Sequence, residues 1–320
     1  MKIKTRLGDL LGIHMPIIQG GLAYLARAEL AAAVSNAGGL GQITAITLGT
    51  KDDLANEIRT YRSISKRPFA VNIALGRMPV DDFLDVVIDE HVPVVSLTAG
   101  NPEPIMAKLK NYPIKIVVLV STPRQAIKAE KLGASAVIVV GMEGGGHIGR
   151  DDIGSTVLTQ EVVNTVGIPV IASGGFMTGQ QITSALTMGA DGVELGTRFV
   201  ATKECPAHKN YKQALVKATV LDTVVIDRSI GMPARVLKTK FTLGILEKEK
   251  EGVAFEDLFP LISGETNKKA ALEGNLDEGF VWASQGVGLI RDIPTVKELF
   301  LRFKKEIEAS TKRLMEHIEI

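Results

Sequence analysis

The run Val139-Val140-Gly141-Met142-Glu143-Gly144-Gly145-Gly146-His147-Ile148-Gly149 decides how this chain is read. Residues 136–140 are apolar and mostly β-branched, the pattern of a strand buried on both faces. Glycines follow at once, and a backbone without Cβ can turn sharply and approach a ligand closely. The reading therefore places His147 at the C-terminal mouth of a buried strand, where α/β enzymes set their chemistry. The remaining histidines, His14, His91, His208 and His317, stand in no such setting.

Outward from that run the same unit recurs. Short apolar segments at 16–19, 40–43, 69–74, 92–98, 114–120, 136–140, 169–172 and 192–195 alternate with amphipathic stretches at 27–36, 51–63, 80–90, 102–110, 122–132, 159–166 and 178–188. The helix-to-strand corners also repeat. Asn36-Ala37-Gly38-Gly39-Leu40, Lys131-Leu132-Gly133-Ala134-Ser135 and Met188-Gly189-Ala190-Asp191-Gly192 each offer glycine where a helix C-cap needs positive φ. Such alternation implies parallel strands joined by right-handed crossovers, and about eight repeats predict an α/β fold of the (β/α)8 TIM barrel type. No G-x-G-x-x-G follows the first strand, which argues against a dinucleotide-binding doubly wound sheet.

Beyond residue 205 the period is lost. The expected organisation is a barrel core over 1–205 and a small appended or inserted second domain near the C-terminus over 206–278, covering the barrel mouth. A segment at 279–320 then returns to the barrel and ends in a long amphipathic helix from 293 onward.

Composition narrows the function. With 320 residues, 45% of them hydrophobic, the chain can bury a large core. Its 37 basic and 36 acidic residues leave a net charge of +1, so no global field draws it to nucleic acid or an anionic membrane. A single cysteine, Cys205, makes neither an internal disulfide nor a zinc cluster and suits a reducing cytoplasm. The apolar run after Met1-Lys2-Ile3-Lys4-Thr5-Arg6 is too short for a signal peptide, and no segment approaches the roughly 18 apolar residues of a membrane span. The expectation is a cytoplasmic protein with a small-molecule substrate, no nucleic-acid or membrane partner and, lacking H-E-x-x-H or paired histidines, no metal.

Three strand ends carry candidate binding residues. Ser173-Gly174-Gly175 ends the seventh strand and Gly196-Thr197-Arg198 the eighth, the two positions where barrels commonly hold a phosphate. Gln19-Gly20-Gly21 ends the first. Asn72, inside an apolar strand, is a buried polar group that must find partners. Gln19 and Asn72 offer donors and acceptors suited to the edge of a planar heterocycle such as a flavin, with a core network as the other reading of Asn72. Thr98-Ala99-Gly100 and Ser121 keep the same mouth broad. No G-x-S-x-G elbow accompanies Ser173 or Ser284, so a hydrolytic triad on His147 has little support.

Taken together, the motifs Pro16-Ile17-Ile18-Gln19-Gly20-Gly21, Arg67-Pro68-Phe69-Ala70-Val71-Asn72, Glu143-Gly144-Gly145-Gly146-His147-Ile148-Gly149, Ile171-Ala172-Ser173-Gly174-Gly175 and Gly196-Thr197-Arg198-Phe199 resemble the nitronate monooxygenase (2-nitropropane dioxygenase) family. That family also contains the FMN-dependent enoyl-acyl-carrier-protein reductase II and related NADH:quinone reductases. The resemblance implies FMN bound by Gln19, Gly20, Gly21, Asn72, Ser121, Gly146, Ser173, Gly174, Gly175, Gly196 and Thr197. It implies His147 as catalytic base or anion-orienting group, and Ser284 and Gln285 on the substrate side.

The first activity it implies is oxidation of alkyl nitronates with O2 to carbonyl compounds and nitrite. The alternative is an NAD(P)H-dependent FMN reductase acting on enoyl thioesters or quinones. Only there would NAD(P)H and acyl carrier protein take part, with Lys203, Lys209, Lys212, Lys238 and Lys240 as a candidate basic patch. A regulatory flavin- or phosphate-binding barrel with a structural His147 is the third reading, and a homodimer stays open throughout. The glycine-histidine run and Val281-Trp282-Ala283-Ser284-Gln285-Gly286 look like the enoyl reductase, whereas Thr202-Lys203-Glu204-Cys205-Pro206 looks like the monooxygenase and quinone reductase branch. Two departures stand out. Leu119-Val120-Ser121 replaces the strand-five lysine of many monooxygenase-branch members, and Val140 stands where the reductase has a carboxylate.

Overall fold

Strand rhythm and helix caps build the core of the computed structural model, which describes residues 2–76 and 79–318. The parallel strands are β1 (Ile17–Gln19), β2 (Gly41–Thr44), β3 (Phe69–Ala74), β4 (Val94–Thr98), β5 (Lys115–Val120), β6 (Ala136–Val140), β7 (Val170–Ser173) and β8 (Gly192–Leu195). They run in the order β2-β3-β4-β5-β6-β7-β8-β1, the order of a (β/α)8 barrel. Closure between β1 and β2 rests on few backbone groups, with the Gln19 amide donating to Leu40 O at 3.0 Å and Leu40 N to Ile17 O at 2.9 Å. Side chains extend this seam. Gln19 Nε2 donates to Gln42 O at 3.0 Å, its Oε1 accepts from Gln42 N at 3.3 Å, and Gln42 Nε2 donates to Gln19 O at 2.7 Å.

Outside the strands lie α1 (Ala28–Ala37), α2 (Lys51–Ile64), α3 (Asp81–Asp89), α4 (Glu103–Leu109), α5 (Pro123–Lys131), α6 (Ser155–Thr165) and α7 (Gly179–Thr187). Thr50, Thr122 and Thr178 each accept a backbone N–H of the first turn they precede, the usual way of satisfying an orphan donor. The helix Val296–Glu316 fills the last place in the ring, packed on α1 and α7 through the buried Phe300 and Phe303. It starts at a Thr295 capping box rather than at 293, and the expected end at Ile320, like Met1, lies outside the described residues. Helix α6 begins at Ser155, four positions before the expected 159. The cause is tertiary: Ser155 N and Oγ both donate to Glu143 Oε2 at 2.8 Å.

The sequence reading did not anticipate the helix Arg6–Leu11, which closes the N-terminal end of the barrel. Its Leu7 and Leu11 share an apolar cluster with Ile18, Ala70, Val117, Ile138 and Ile171. Arg6 pairs with Asp191 at 2.7 Å and donates to Gly167 O at 2.8 Å.

Within 206–278 the helix Lys209–Lys217 packs on the barrel's outer cluster through Tyr211 and Leu215. Two antiparallel strands follow, β9 (Thr223–Ile226) and β10 (Ala234–Leu237), and then helices Lys240–Glu251 and Phe255–Ile262. They have a core of their own in Ile226, Val236, Ile245, Leu258 and Phe280. The two-residue strand Gly146–His147 pairs with β10, His147 opposite Ala234, so the loop after β6 is sewn to this second unit. Among the described residues no helix is long and apolar enough to cross a membrane.

Candidate active site

A cavity of about 790 Å³ opens where the barrel strands end, within the range of about 300–1,000 Å³ usual for ligand sites. Period-two alternation decides which strand residues face it. On β3, Val71 and Ile73 join the outer cluster, so Asn72 points inward. Asn72 Nδ2 donates to Ser96 Oγ at 3.0 Å, and Ser96 Oγ donates to Gln42 Oε1. This chain of bonds holds Asn72 with its Oδ1 unspent at the cavity wall. Gly21 abuts it so closely that a Cβ would lie 2.5 Å from the Asn72 carboxamide, which is why only glycine serves there.

Gly20, Gly21, Asn72, Ser121, Gly146, His147, Ser173, Gly174, Gly175, Gly196, Thr197 and Ser284 all line the cavity. Two expected residues do not. Gln19 is fully buried, and its carboxamide is consumed by the β1–β2 seam instead of reading a ligand's edge. Gln285 turns away, its backbone N–H donating to Glu143 O at 2.9 Å. Ser284 supports the turn after it through Oγ, and its N–H donates to Thr197 Oγ1 at 2.9 Å. Ser121 N and Oγ donate to Gln125 Oε1. Of the lysines, Lys212 Nζ is committed to Cys205 O at 2.6 Å, and Lys203, Lys209, Lys238 and Lys240 are exposed away from the cavity.

His147 presents its ring to the cavity, 5.4 Å between centroids from Trp282. Among the described residues neither ring nitrogen has a hydrogen-bond partner. The ring surface is exposed because it opens on the cavity, yet the surrounding protein strips its solvation and lowers the imidazole below its ordinary pKa. At neutral pH His147 is therefore uncharged and free to accept a proton.

Glu194 escaped the sequence reading. It sits inward on β8, buried beside Ser173, whose Oγ donates to its Oε2 at 2.8 Å. Burial pushes its carboxyl up to about 7, against the smaller opposite effect of that hydrogen bond. The signal was present, since a charged residue inside Gly192-Val193-Glu194-Leu195 is as anomalous as Asn72 in β3. Tyr211, Asn267 and Trp282 were also missed, because nothing local shows that the second unit brings them over the cavity.

The residues fit a flat, polar-edged, phosphate-bearing cofactor. The amides of Gly174, Gly175 and Gly196 have no acceptor among the described residues, and Gly174 and Gly175, which line the cavity, hold φ of 100° and 84°, a left-handed conformation that favours glycine. Thr44 and Asn267 line the same cavity, and among the described residues the buried Thr44 Oγ1 and Asn267 Oδ1 have no hydrogen-bond partner. Such orphaned groups are costly unless a ligand meets them.

The fold is a TIM barrel whose cavity opens at the C-terminal face, and the family it falls in is one of oxidoreductases. The chain belongs to the nitronate monooxygenase family, which it matches over residues 4–83 and 76–305. It is similar to FabK from Thermotoga maritima, with a TM-score of 0.90 at 41% identity, covering 99% of this chain and 100% of that one. It is also similar to a nitroalkane oxidase from Streptomyces ansochromogenes, with a TM-score of 0.83 at 30% identity over 96% and 99% of the two chains. A curated relative from Mycobacterium tuberculosis, (3aS,4S,5R,7aS)-5-hydroxy-7a-methyl-1-oxo-octahydro-1H-indene-4-carboxyl-CoA dehydrogenase, is 31% identical over 93% of this chain and 94% of its own.

Proposed function

We propose that the protein is an FMN-dependent nitronate monooxygenase, converting alkyl nitronates and O2 to carbonyl compounds and nitrite. The observation that carries this reading is the uncharged, unpartnered imidazole of His147 facing a glycine-lined cavity. A nitronate forms from a nitroalkane by loss of the α-carbon proton, and an uncharged imidazole in the cavity would take that proton when the neutral nitroalkane arrives. Bound FMN would supply the electron acceptor and the reactivity toward O2.

The chain's own residues would do the rest. The free amides of Gly174, Gly175 and Gly196 would hold the phosphate, and Asn72 Oδ1, fixed through Ser96, would accept from an N–H of the ring edge. Trp282 and Tyr211 would exclude water from above, while His147 takes the α-proton at an imidazole nitrogen. Anaerobic stopped-flow absorbance tests the reading: an alkyl nitronate should bleach the flavin rapidly and NAD(P)H slowly.

A second reading has its own support. The 41% identity to FabK and the CoA thioester in the name of the mycobacterial relative favour an NAD(P)H-dependent flavin reductase acting on an acyl thioester. Rapid bleaching by NADH with an inert nitronate would select it.

A further inference from the structure

Glu194 stands in the cavity without a task in either reading. Its carboxyl lies inside the barrel, and Oε2 takes the Ser173 hydroxyl. A Cβ placed on Gly20 would sit 3.6 Å from its Cδ and Oε1 and 3.5 Å from Gly196 Cα, so the carboxyl and the Gly196 loop flank one glycine. Ser173 directly precedes the other glycine pair. Glu194 thus adjoins both loops whose amides await an anion, and a buried carboxylate facing a phosphate is electrostatically untenable unless one of them gives up its charge.

Among the described residues no cation compensates it. From β7 it meets Ser173, on β1 it stands opposite Ile18, and Gly20 just past β1 lies beside its carboxyl, so among the described residues burial and the Ser173 hydroxyl act on it. Among the described residues the other titratable side chains lining the cavity are His147, Lys128 and Tyr211. His147 is uncharged above neutrality, and the Tyr211 hydroxyl is spent on Trp282 O with its ionisation pushed far up by burial.

We propose that Glu194 is a ligand-binding residue whose uncharged carboxyl admits the cofactor's phosphate to the Gly174, Gly175 and Gly196 amides and whose ionised form drives it off. The inference rests on the FMN reading. Its consequence is proton uptake on cofactor binding: apoprotein and FMN should associate most tightly below neutrality and progressively more weakly as pH rises.

The experiment is FMN titration of apoprotein by fluorescence quenching at intervals from pH 7 to 9, for wild type and Glu194→Gln. In that window the phosphate, with a second pKa near 6, and His147 barely change state. The wild-type Kd should rise up to about tenfold per pH unit, the signature of one coupled proton, while Glu194→Gln should bind with a nearly constant Kd. Equal pH slopes in both proteins, or a flat wild-type profile with tight binding, would overturn the inference and leave the FMN reading standing. Absence of FMN binding by wild type at every pH would overturn both. Circular dichroism of Glu194→Gln, and a Glu194→Ala variant that also loses the slope, separate the charge effect from misfolding.

Discussion

His147 and Glu194 are two titratable groups that burial pushes in opposite directions, and each gives a measurable consequence. Replacing His147 by alanine should lower kcat/KM for a neutral nitroalkane by about 100- to 10,000-fold, the usual worth of a positioned base, and much less for the preformed nitronate, while the flavin absorbance of the purified protein persists. Because desolvation depresses the imidazole, the acid limb of the wild-type kcat/KM profile should lie below the ordinary histidine value of about 6.5. Glu194 works the other way. A carboxyl raised to about 7 in the fold costs stability as pH climbs from its unfolded value through neutrality, on the order of 3 kcal/mol once fully ionised. Differential scanning calorimetry of the apoprotein should therefore show Glu194→Gln gaining Tm over wild type at pH 8.5 and little at pH 5. At this scale the sequence was informative where a residue contradicted its surroundings: a histidine among glycines, an asparagine within an apolar strand. It misled at Gln19, whose carboxamide serves a barrel seam that three residues of β1 cannot close alone.

At the scale of elements, the loop after β6 is more than the strand end that its sequence describes. Arg235 Nε and Nη2 both donate to Met142 O at 3.0 and 2.9 Å, and Nη1 reaches Thr223 Oγ1 at 3.1 Å. The second unit thereby grips the segment that delivers His147. Arg235→Ala removes charge-assisted bonds worth about 1.5–3 kcal/mol each; thermal denaturation should show a lower Tm, and steady-state kinetics a kcat reduced about tenfold or more with FMN still bound. Gly21→Ala tests the opposite wall. The added methyl would occupy the space of the Asn72 carboxamide, so purified Gly21→Ala should be folded by circular dichroism yet retain little flavin. Neither link was legible in the chain, because pairing of His147 with Ala234 joins positions far apart in sequence and no local pattern marks a two-residue strand.

Across the whole molecule one apolar cluster unites barrel and C-terminal segments. Leu195 and Phe199 of the barrel share it with Tyr211, Val281, Phe300 and Phe303. Phe303 is completely buried, and truncating such a residue to alanine costs about 3–5 kcal/mol. Urea denaturation of Phe303→Ala should show that loss as one transition seen alike by Trp282 fluorescence, which reports the second unit, and by far-UV circular dichroism. Two separated transitions would mean that the shared cluster does not couple the parts. By itself the sequence determined the barrel, since period-two and helical patterns with glycine caps are local and repeat about eight times. It also determined where the glycines and His147 lie along the strands. Only the tertiary structure decided which side chains face the cavity unspent and which are consumed by closure. It alone brought Glu194 beside the Gly174 and Gly196 loops and laid Tyr211, Asn267 and Trp282 at the cavity, because those contacts depend on long-range packing that leaves no periodic trace in the chain.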